Sequence, residues 1–384
     1  MKKIEPYTGF EQGPIRPPSE AGRLLIRITR NCPWNRCTFC PVYKGTRFSL
    51  RPVEHVLKDI DIVHFYVEAI RHAQGADGRM PRSEYLRLFQ TGDAMVQQAL
   101  HAAINFTGNG MKSIFLQDGN SLIIKPDDLV RILKHLKAAF PEVERVTSYA
   151  RSHTIARIRD ENLGRIAEAG LNRIHIGMES GADAVLKRVR KGSDKATQIL
   201  AGQKVKRAGM ELSEYYMPGL GGRELSRENA QETADALNQI NPDFIRLRTL
   251  ALPDKTPLSE QHKAGVFFKM GDVETSQELL LFLSSLETIT STVKSDHVLN
   301  LFPEVEGKLP EDREKMMAPI RDFLKLSSHE QMIFCVGRRT QRLSKLVDLN
   351  DPLKRRHAEK VCVDLGVTPE NMDALVDSII KRFI

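Results

Sequence analysis

The sequence predicts an α/β fold, a partial (β/α)6 TIM-like barrel with a helical C-terminal region, and three observations lead there. Short apolar runs alternate with segments whose apolar residues recur at helical spacing, which implies parallel strands joined by right-handed crossovers. Several of these runs place polar side chains at every second position. Beyond Pro253 the strand signals stop. A doubly wound sheet, covered on both faces, gives nearly continuous apolar strands, so the alternation favours a curved sheet around a polar interior.

The elements follow in order. Leu24 to Ile28 is an apolar run and the first strand. Val53 to Ala73 carries Val53, Val56, Ile60, Val63, Val67 and Ile70 at helical spacing, and a break follows from Gly75 to Pro81. A second helical stretch runs from Asp93 to Asn105. Lys112 to Leu116 is a strand, and Pro126 to Ala139 a helix with Asp127 and Asp128 in its first turn. Further strands are expected at 145–149, 173–178, 211–217 and 244–250, with helices at 155–169, 182–189 and 227–239. Three more helices are expected at 274–286, 311–326 and 352–365. The domain reading is an N-terminal extension over 1–19, a core over 20–255 with a helical insertion around 75–110, and a helical region over 256–384.

Composition narrows the function. The 384 residues, 41% hydrophobic and 28% charged, fit a soluble globular chain. No segment approaches the run of about 18 apolar residues that a membrane helix needs, and no secretory core is present near the start, so a cytoplasmic location is expected. The net charge of +8 is compatible with nucleic acid, but the basic residues are spread among 49 acidic ones, so a solvated basic surface is favoured. Five cysteines are too few for a disulfide scaffold, and three of them fall between Cys32 and Cys40.

Those three, spaced C-x4-C-x2-C, follow the first strand. Three thiolates on a short loop suit a soft metal centre, whereas structural zinc requires a fourth ligand. Neither Cys335 nor Cys362 belongs to a second ligand pair; both read as small buried hydrophobes. A compact centre with one open position is therefore indicated.

The segment Asn31-Cys32-Pro33-Trp34-Asn35-Arg36-Cys37-Thr38-Phe39-Cys40 resembles the signature of the radical S-adenosylmethionine (SAM) superfamily. The usual spacing there is C-x3-C-x2-C; this chain has one more residue between its first two cysteines and keeps the aromatic Phe39. Ile174-His175-Ile176-Gly177-Met178-Glu179-Ser180-Gly181 resembles the G-x-E-S segment of the elongator-like and methylthiotransferase-like branch. Gln117-Asp118-Gly119-Asn120 resembles the turn that receives the methionyl amine of SAM, although an ordinary turn would read alike. Pro218-Gly219-Leu220-Gly221-Gly222 resembles the turn near the adenine. It lacks the patterns of nucleotide-phosphate loops. The resemblance covers about residues 20 to 255.

By that resemblance, Cys32, Cys37 and Cys40 hold a 4Fe–4S cluster whose fourth iron takes SAM, with Phe39 beside it. Glu179 and Ser180 face the SAM ribose or methionyl group, Arg188 is the favoured partner of its carboxylate over Lys187 and Arg190, and Gly219 and Leu250 approach the adenine. Reductive cleavage then yields a 5′-deoxyadenosyl radical that abstracts hydrogen from a substrate. A one-electron donor such as flavodoxin or ferredoxin is implied. His175, Glu214, Tyr216, Arg246 and Arg248 are candidates for substrate or proton chemistry, each also readable as a satisfied structural group. Arg246 and Arg248, on one strand face, suit a carboxylate or phosphate. The substrate is not legible. Two alternatives stand: a tRNA-modifying radical SAM enzyme, and a non-catalytic zinc or iron–sulfur protein.

Overall fold

The computed structural model describes residues 5–17, 20, 22–75, 81–90 and 94–381. The break expected between Gly75 and Pro81 falls mainly on 76–80, and the expected helix start at Asp93 on 91–93; both lie outside the described residues. The chain forms two compact units. One comprises residues up to 35, 42–175 and 204–211; the other comprises 36–41, 176–203 and 212 onward.

In the first unit, β1 (Leu24–Arg27), β2 (Thr29–Arg30) and β3 (Ser49–Leu50) precede three helices, α1 (Val53–Ala73), α2 (Arg82–Phe89) and α3 (Ala94–Gly108). Then come β4 (Ser113–Gln117), α4 (Pro126–Ala139), β5 (Arg145–Ala150), α5 (Ser152–Arg157) and α6 (Asp160–Glu168). β1 pairs parallel to β4, with Arg27 beside Gln117, and β4 parallel to β5. The apolar stripe of α1 is the expected one: Val56, Ile60, Val63, Val67 and Ile70 are buried. α4 begins with Pro126 inside its first turn, where the missing N–H is no loss, and two aspartates favour the positive end of the helix dipole.

β6 (Arg173–Glu179) and α8 (Lys195–Arg207) each pass from one unit into the other, and α7 (Asp183–Arg188) lies between them in sequence. After β7 (Glu211–Tyr216), whose first residue belongs to the first unit, the second unit continues with α9 (Ser226–Ile240), β8 (Phe244–Leu247), α10 (Pro257–Lys263) and α11 (Asp272–Ser284). β9 (Thr292–Lys294) and β10 (Gly307–Lys308) lead to α12 (Arg313–Lys325), α13 (Ser328–Arg339), α14 (Pro352–Asp364) and α15 (Met372–Ile380). β7, β8 and β9 pair in parallel, and β10 runs antiparallel to β9.

Strand–helix alternation with parallel pairing is the expected α/β class. The helices α8, α10, α13 and α15 were not expected, and two further details differ from expectation. The region beyond Pro253 is not purely helical, because β9 extends the parallel series; at three residues it is too short to show an alternation. The helix expected over 155–169 is two helices, broken where Lys204 donates to the carbonyls of Ala156 (3.3 Å) and Ile158. Cys335 and Cys362 are buried, as expected, and burial pushes the Cys335 thiol well above its usual range. Among the described residues no helix is long and apolar enough to cross a membrane.

Candidate active site

The cysteine loop is held by different means at its two ends. In the first unit, Asn31 precedes Cys32 with a positive φ of 68°, a conformation asparagine tolerates better than most residues. Its backbone N–H donates to Asp118 Oδ2 at 3.0 Å. The same carboxylate accepts from Arg27 Nε at 2.8 Å and from the Tyr43 hydroxyl at 3.1 Å, and it is fully buried. Burial and the adjacent Asp118 push the Tyr43 phenol far above its usual range, so Tyr43 stays a donor. Gln117 is fixed as well, accepting from Gly13 N–H at 2.9 Å and donating to Gly13 and Ile15 carbonyls. Asn120 donates to Thr154 and accepts from Arg151 N–H.

Gly119 faces Cys32 closely: a β-carbon there would stand 3.7 Å from the Cys32 β-carbon and 3.6 Å from the Tyr43 ring. A β-carbon at Gly119 would thus touch Cys32 and Tyr43 at ordinary van der Waals distance. Farther along the loop the Arg151 guanidinium lies 5.0 Å from the Trp34 ring centroid, a cation–π contact.

In the second unit the grip is apolar. Cys37 and Cys40 pack against a buried cluster that includes Phe39, Val185, Val189, Leu250, Leu252 and Leu258. Thr38 N–H donates to the Val189 carbonyl at 2.9 Å, and the Thr38 carbonyl accepts from Leu258 N–H at 3.0 Å. None of the five cysteines is in a disulfide. Among the described residues no three His, Cys, Asp or Glu side chains already stand in metal-ligating geometry. Three thiol-bearing side chains on one loop, with a glycine backing Cys32, nonetheless fit a soft cluster better than any other group.

The G-x-E-S segment ends β6. Glu179 has a φ of 66°, and its Oε1 lies 3.2 Å from Lys191 Nζ. A β-carbon on Gly177 would fall 2.3 Å from that oxygen, so a larger residue there would displace the Glu179 carboxylate from its present position. Lys191 also stands 6.0 Å from the Phe39 ring centroid, beside the cysteine loop. Arg188, by contrast, donates to the Gly221 carbonyl at 3.2 Å and pairs with Glu224. The cation next to Glu179 is therefore Lys191, which the sequence reading did not single out. Its signal was there, as the last member of the basic run from Lys187. Ser180 is fully buried, its hydroxyl accepting from Ala182 N–H at 3.0 Å.

The glycine turn rests on a residue the sequence did not flag. Glu278 of α11 is buried and accepts from Gly219 N–H (2.9 Å), Tyr216 hydroxyl (2.7 Å), Asn229 (2.8 Å) and Ser226 (2.7 Å). Burial raises its carboxyl pKa against those four hydrogen bonds, which oppose the rise. Gly219 has a φ of 86°, and Leu250 belongs to the apolar cluster.

The proposed polar face needs correction. Register pairs Glu214 with Ile245, Tyr215 with Arg246 and Tyr216 with Leu247. Partners across a parallel pair share a face, so Glu214 and Tyr216 lie opposite Arg246. Tyr216 is committed to Glu278 and stacks on Phe282 of α11 at 4.2 Å, so it faces the helices. Glu214 is buried on that same face with neither carboxylate oxygen hydrogen-bonded, and burial pushes its pKa well up, against the lowering pull of Lys191. His175, in the first unit, is buried between Phe115 and Tyr149, with Nε2 3.8 Å from Glu20. Arg246 pairs with Asp296, and Arg248 is exposed.

Comparison with known proteins fixes the class. Residues 26–237 match the Radical SAM superfamily, and the chain belongs to that superfamily of partial (β/α)-barrel enzymes. A curated relative, 4′-phospho-dehydrooxetanocin synthase of Priestia megaterium, is 25% identical over 300 residues, covering 72% of this chain and 35% of its own length. The chain thus spans about a third of that relative. Among solved structures, coproporphyrinogen III oxidase from Escherichia coli aligns with a TM-score of 0.44 and 15% identity, over 69% of this chain and 52% of that one. The archaeal Methanocaldococcus infernus Elp3 aligns with a TM-score of 0.42 and 17% identity, over 52% and 53% respectively. Membership sets aside the non-catalytic zinc or iron–sulfur alternative.

Proposed function

We propose that this chain is a radical SAM enzyme that holds a 4Fe–4S cluster on Cys32, Cys37 and Cys40, takes an electron from a flavodoxin or ferredoxin, and acts on a small phosphate-bearing substrate. With SAM bound, the cluster supplies a 5′-deoxyadenosyl radical able to abstract hydrogen. The rest is the work of this chain's residues. Asp118 sets the loop by fixing Asn31, and the Gln117–Asn120 turn presents backbone carbonyls to the methionyl amine. Lys191, rather than Arg188, takes the methionyl carboxylate, while Glu179 accepts from the ribose hydroxyls. Glu278 holds Gly219 for the adenine, with Leu250 as apolar cover.

The observation that carries this reading is the cysteine loop, pinned on one side by Asp118 and seated on the other in apolar packing beside Lys191. A phosphate-bearing substrate is favoured by the curated relative's name and by Arg248, which has no ionic partner among the described residues. The test is anaerobic reconstitution with iron and sulfide, reduction with dithionite and addition of SAM. Wild type should form 5′-deoxyadenosine, and Cys37→Ala should form none. Intact SAM over a fully assembled wild-type cluster would refute the proposal.

A further inference from the structure

The C-terminal ends of β8 and β9 carry a side-chain group that the SAM site does not use. Register sets Arg246 beside Lys294. Arg246 Nη1 donates to Asp296 Oδ2 at 2.5 Å, so that the acidic charge here is already neutralised. Lys294 pairs with Glu306. Arg248 is different. Its backbone N–H donates to the Tyr216 carbonyl at 3.0 Å, which fixes the main chain, while the exposed guanidinium has no acceptor among the described residues. One uncompensated positive charge therefore stands at the end of β8.

His297 supplies the second donor. It follows Asp296, is only partly exposed, and its Nδ1 accepts the backbone N–H of Leu299 at 3.2 Å. An imidazole that accepts at Nδ1 carries its proton on Nε2, so the free ring nitrogen is a donor. Burial, reinforced by the Arg248 charge, pushes the imidazole down to about 4, although Asp296 opposes this, and the neutral donor form is thus present at physiological pH.

Both residues sit on backbone that is tied down. Asn300 donates to the Leu247 carbonyl at 2.8 Å and accepts from Thr249 N–H at 3.0 Å and from the Thr249 hydroxyl at 3.1 Å. Ser295 donates to the Phe302 carbonyl at 2.7 Å. The segment 295–300 is thereby laced to the end of β8, and the relative placement of Arg248 and His297 does not depend on a loose loop. An exposed arginine alone would read as a solvated charge; an arginine without an acidic partner beside a donor-only imidazole does not.

We propose that Arg248 and His297 together bind the phosphate of a phosphate-monoester substrate. A carboxylate is satisfied by one guanidinium through two parallel hydrogen bonds. A phosphate dianion has a third terminal oxygen and a second charge, and a further donor arriving from a separate strand end matches it. The inference deepens the proposed reading of a phosphate-bearing substrate for this same enzyme and rests on it.

The test is equilibrium dialysis of radiolabelled inorganic phosphate against the full-length, cluster-reconstituted protein at fixed ionic strength. Wild type should bind one equivalent, Arg248→Gln and His297→Gln should each weaken binding at least tenfold, and Lys315→Gln, which removes a positive charge elsewhere, should leave it unchanged. Circular dichroism melts establish that each variant is folded. In the unsubstituted protein the His297 imidazole resonances should move on phosphate titration, which keeps the test alive if a variant misfolds. Binding that survives both substitutions, equal weakening in Lys315→Gln, equally strong competition by acetate, or displacement of phosphate by SAM would each overturn the assignment. Formation of 5′-deoxyadenosine is measured separately in the same wild-type preparation. Its failure refutes radical SAM chemistry, whereas failure of the dialysis result refutes only the phosphate site.

Discussion

The two ends of the cysteine loop are stabilised by opposite physics. Around Cys32 the grip is polar: a buried aspartate gathers a guanidinium, a phenol and a backbone N–H, and Glu11 gathers Arg27 and Arg30 behind it. Around Cys37 and Cys40 it is apolar, a cluster of aliphatic and aromatic side chains with two backbone hydrogen bonds to Thr38. Polar networks specify geometry but fail abruptly when one member is lost, whereas apolar packing loses stability in proportion to the volume removed. A single loop thus combines a directional anchor for one thiol with an apolar seat for the other two.

The largest effect should come from breaking the polar end. Asp118→Ala leaves Arg27 with one acidic partner fewer and strands the Tyr43 hydroxyl and Asn31 N–H, so we expect a loss of about 3–5 kcal/mol, as for a broken buried ion pair, read by denaturant unfolding. Cluster content after reconstitution should fall with it. Hydrogen exchange should rise at the Asn31 amide and stay slow at Thr38; equal acceleration at both would show that the ends are not independent. The converse change is Leu258→Ala at a fully buried position, expected to cost about 3 kcal/mol, within the range for truncating a core leucine. Here exchange should quicken at Thr38 and not at Asn31.

The same contrast explains what the sequence reveals. Periodicity exposes apolar packing, so α1 and α4 are legible to the residue: Val56 to Ile70 repeat at helical spacing, and Pro126 with Asp127 and Asp128 marks a start. α8 escaped because its interior holds Gly202, whose missing side chain makes room for Ile240, and its buried face includes the polar Gln198 and Lys204. The cysteine motif is legible because spacing alone carries it. Polar anchors are not: Asp118, Tyr43 and Glu278 derive their anchoring roles from partners distant in sequence, and no local pattern announces those roles. The assignment of Glu214 and Tyr216 to the polar face failed for a related reason. Alternation within a strand shows that two faces differ, but only register with Ile245 and Leu247 shows which face is which.

Acid should separate the two ends next. Burial would raise the Glu11 carboxyl, but the hydrogen bond from Arg30 and the charges of Arg51, Arg30 and Arg27 outweigh it and hold the pKa below its usual 4.5. A depressed carboxylate contributes stability that is present above its unfolded value and lost as pH falls through the folded one. Exchange at Asn31 should therefore quicken as pH drops below about 4.5, after correction for intrinsic rates, while Thr38, held by Val189, keeps its protection. Glu11→Gln should flatten the Asn31 response.

The smallest expected effect tests whether the middle of the loop belongs to either end. Trp34 lies between Cys32 and Cys37, with the Arg151 guanidinium 5.0 Å from its ring centroid. Trp34→Leu keeps an apolar body and removes the ring's quadrupole, so the change should be about 0.5–1 kcal/mol, the value of a partly exposed cation–π pair. High salt weakens exposed ion pairs but leaves a short-range ring contact largely intact, so the difference between wild type and variant should persist in salt. A loss several times larger, accompanied by faster exchange at both Asn31 and Thr38, would make Trp34 the element that couples the polar anchor to the apolar seat. A loss within the expected range, with both amides unchanged, leaves each end of the loop held by its own partners.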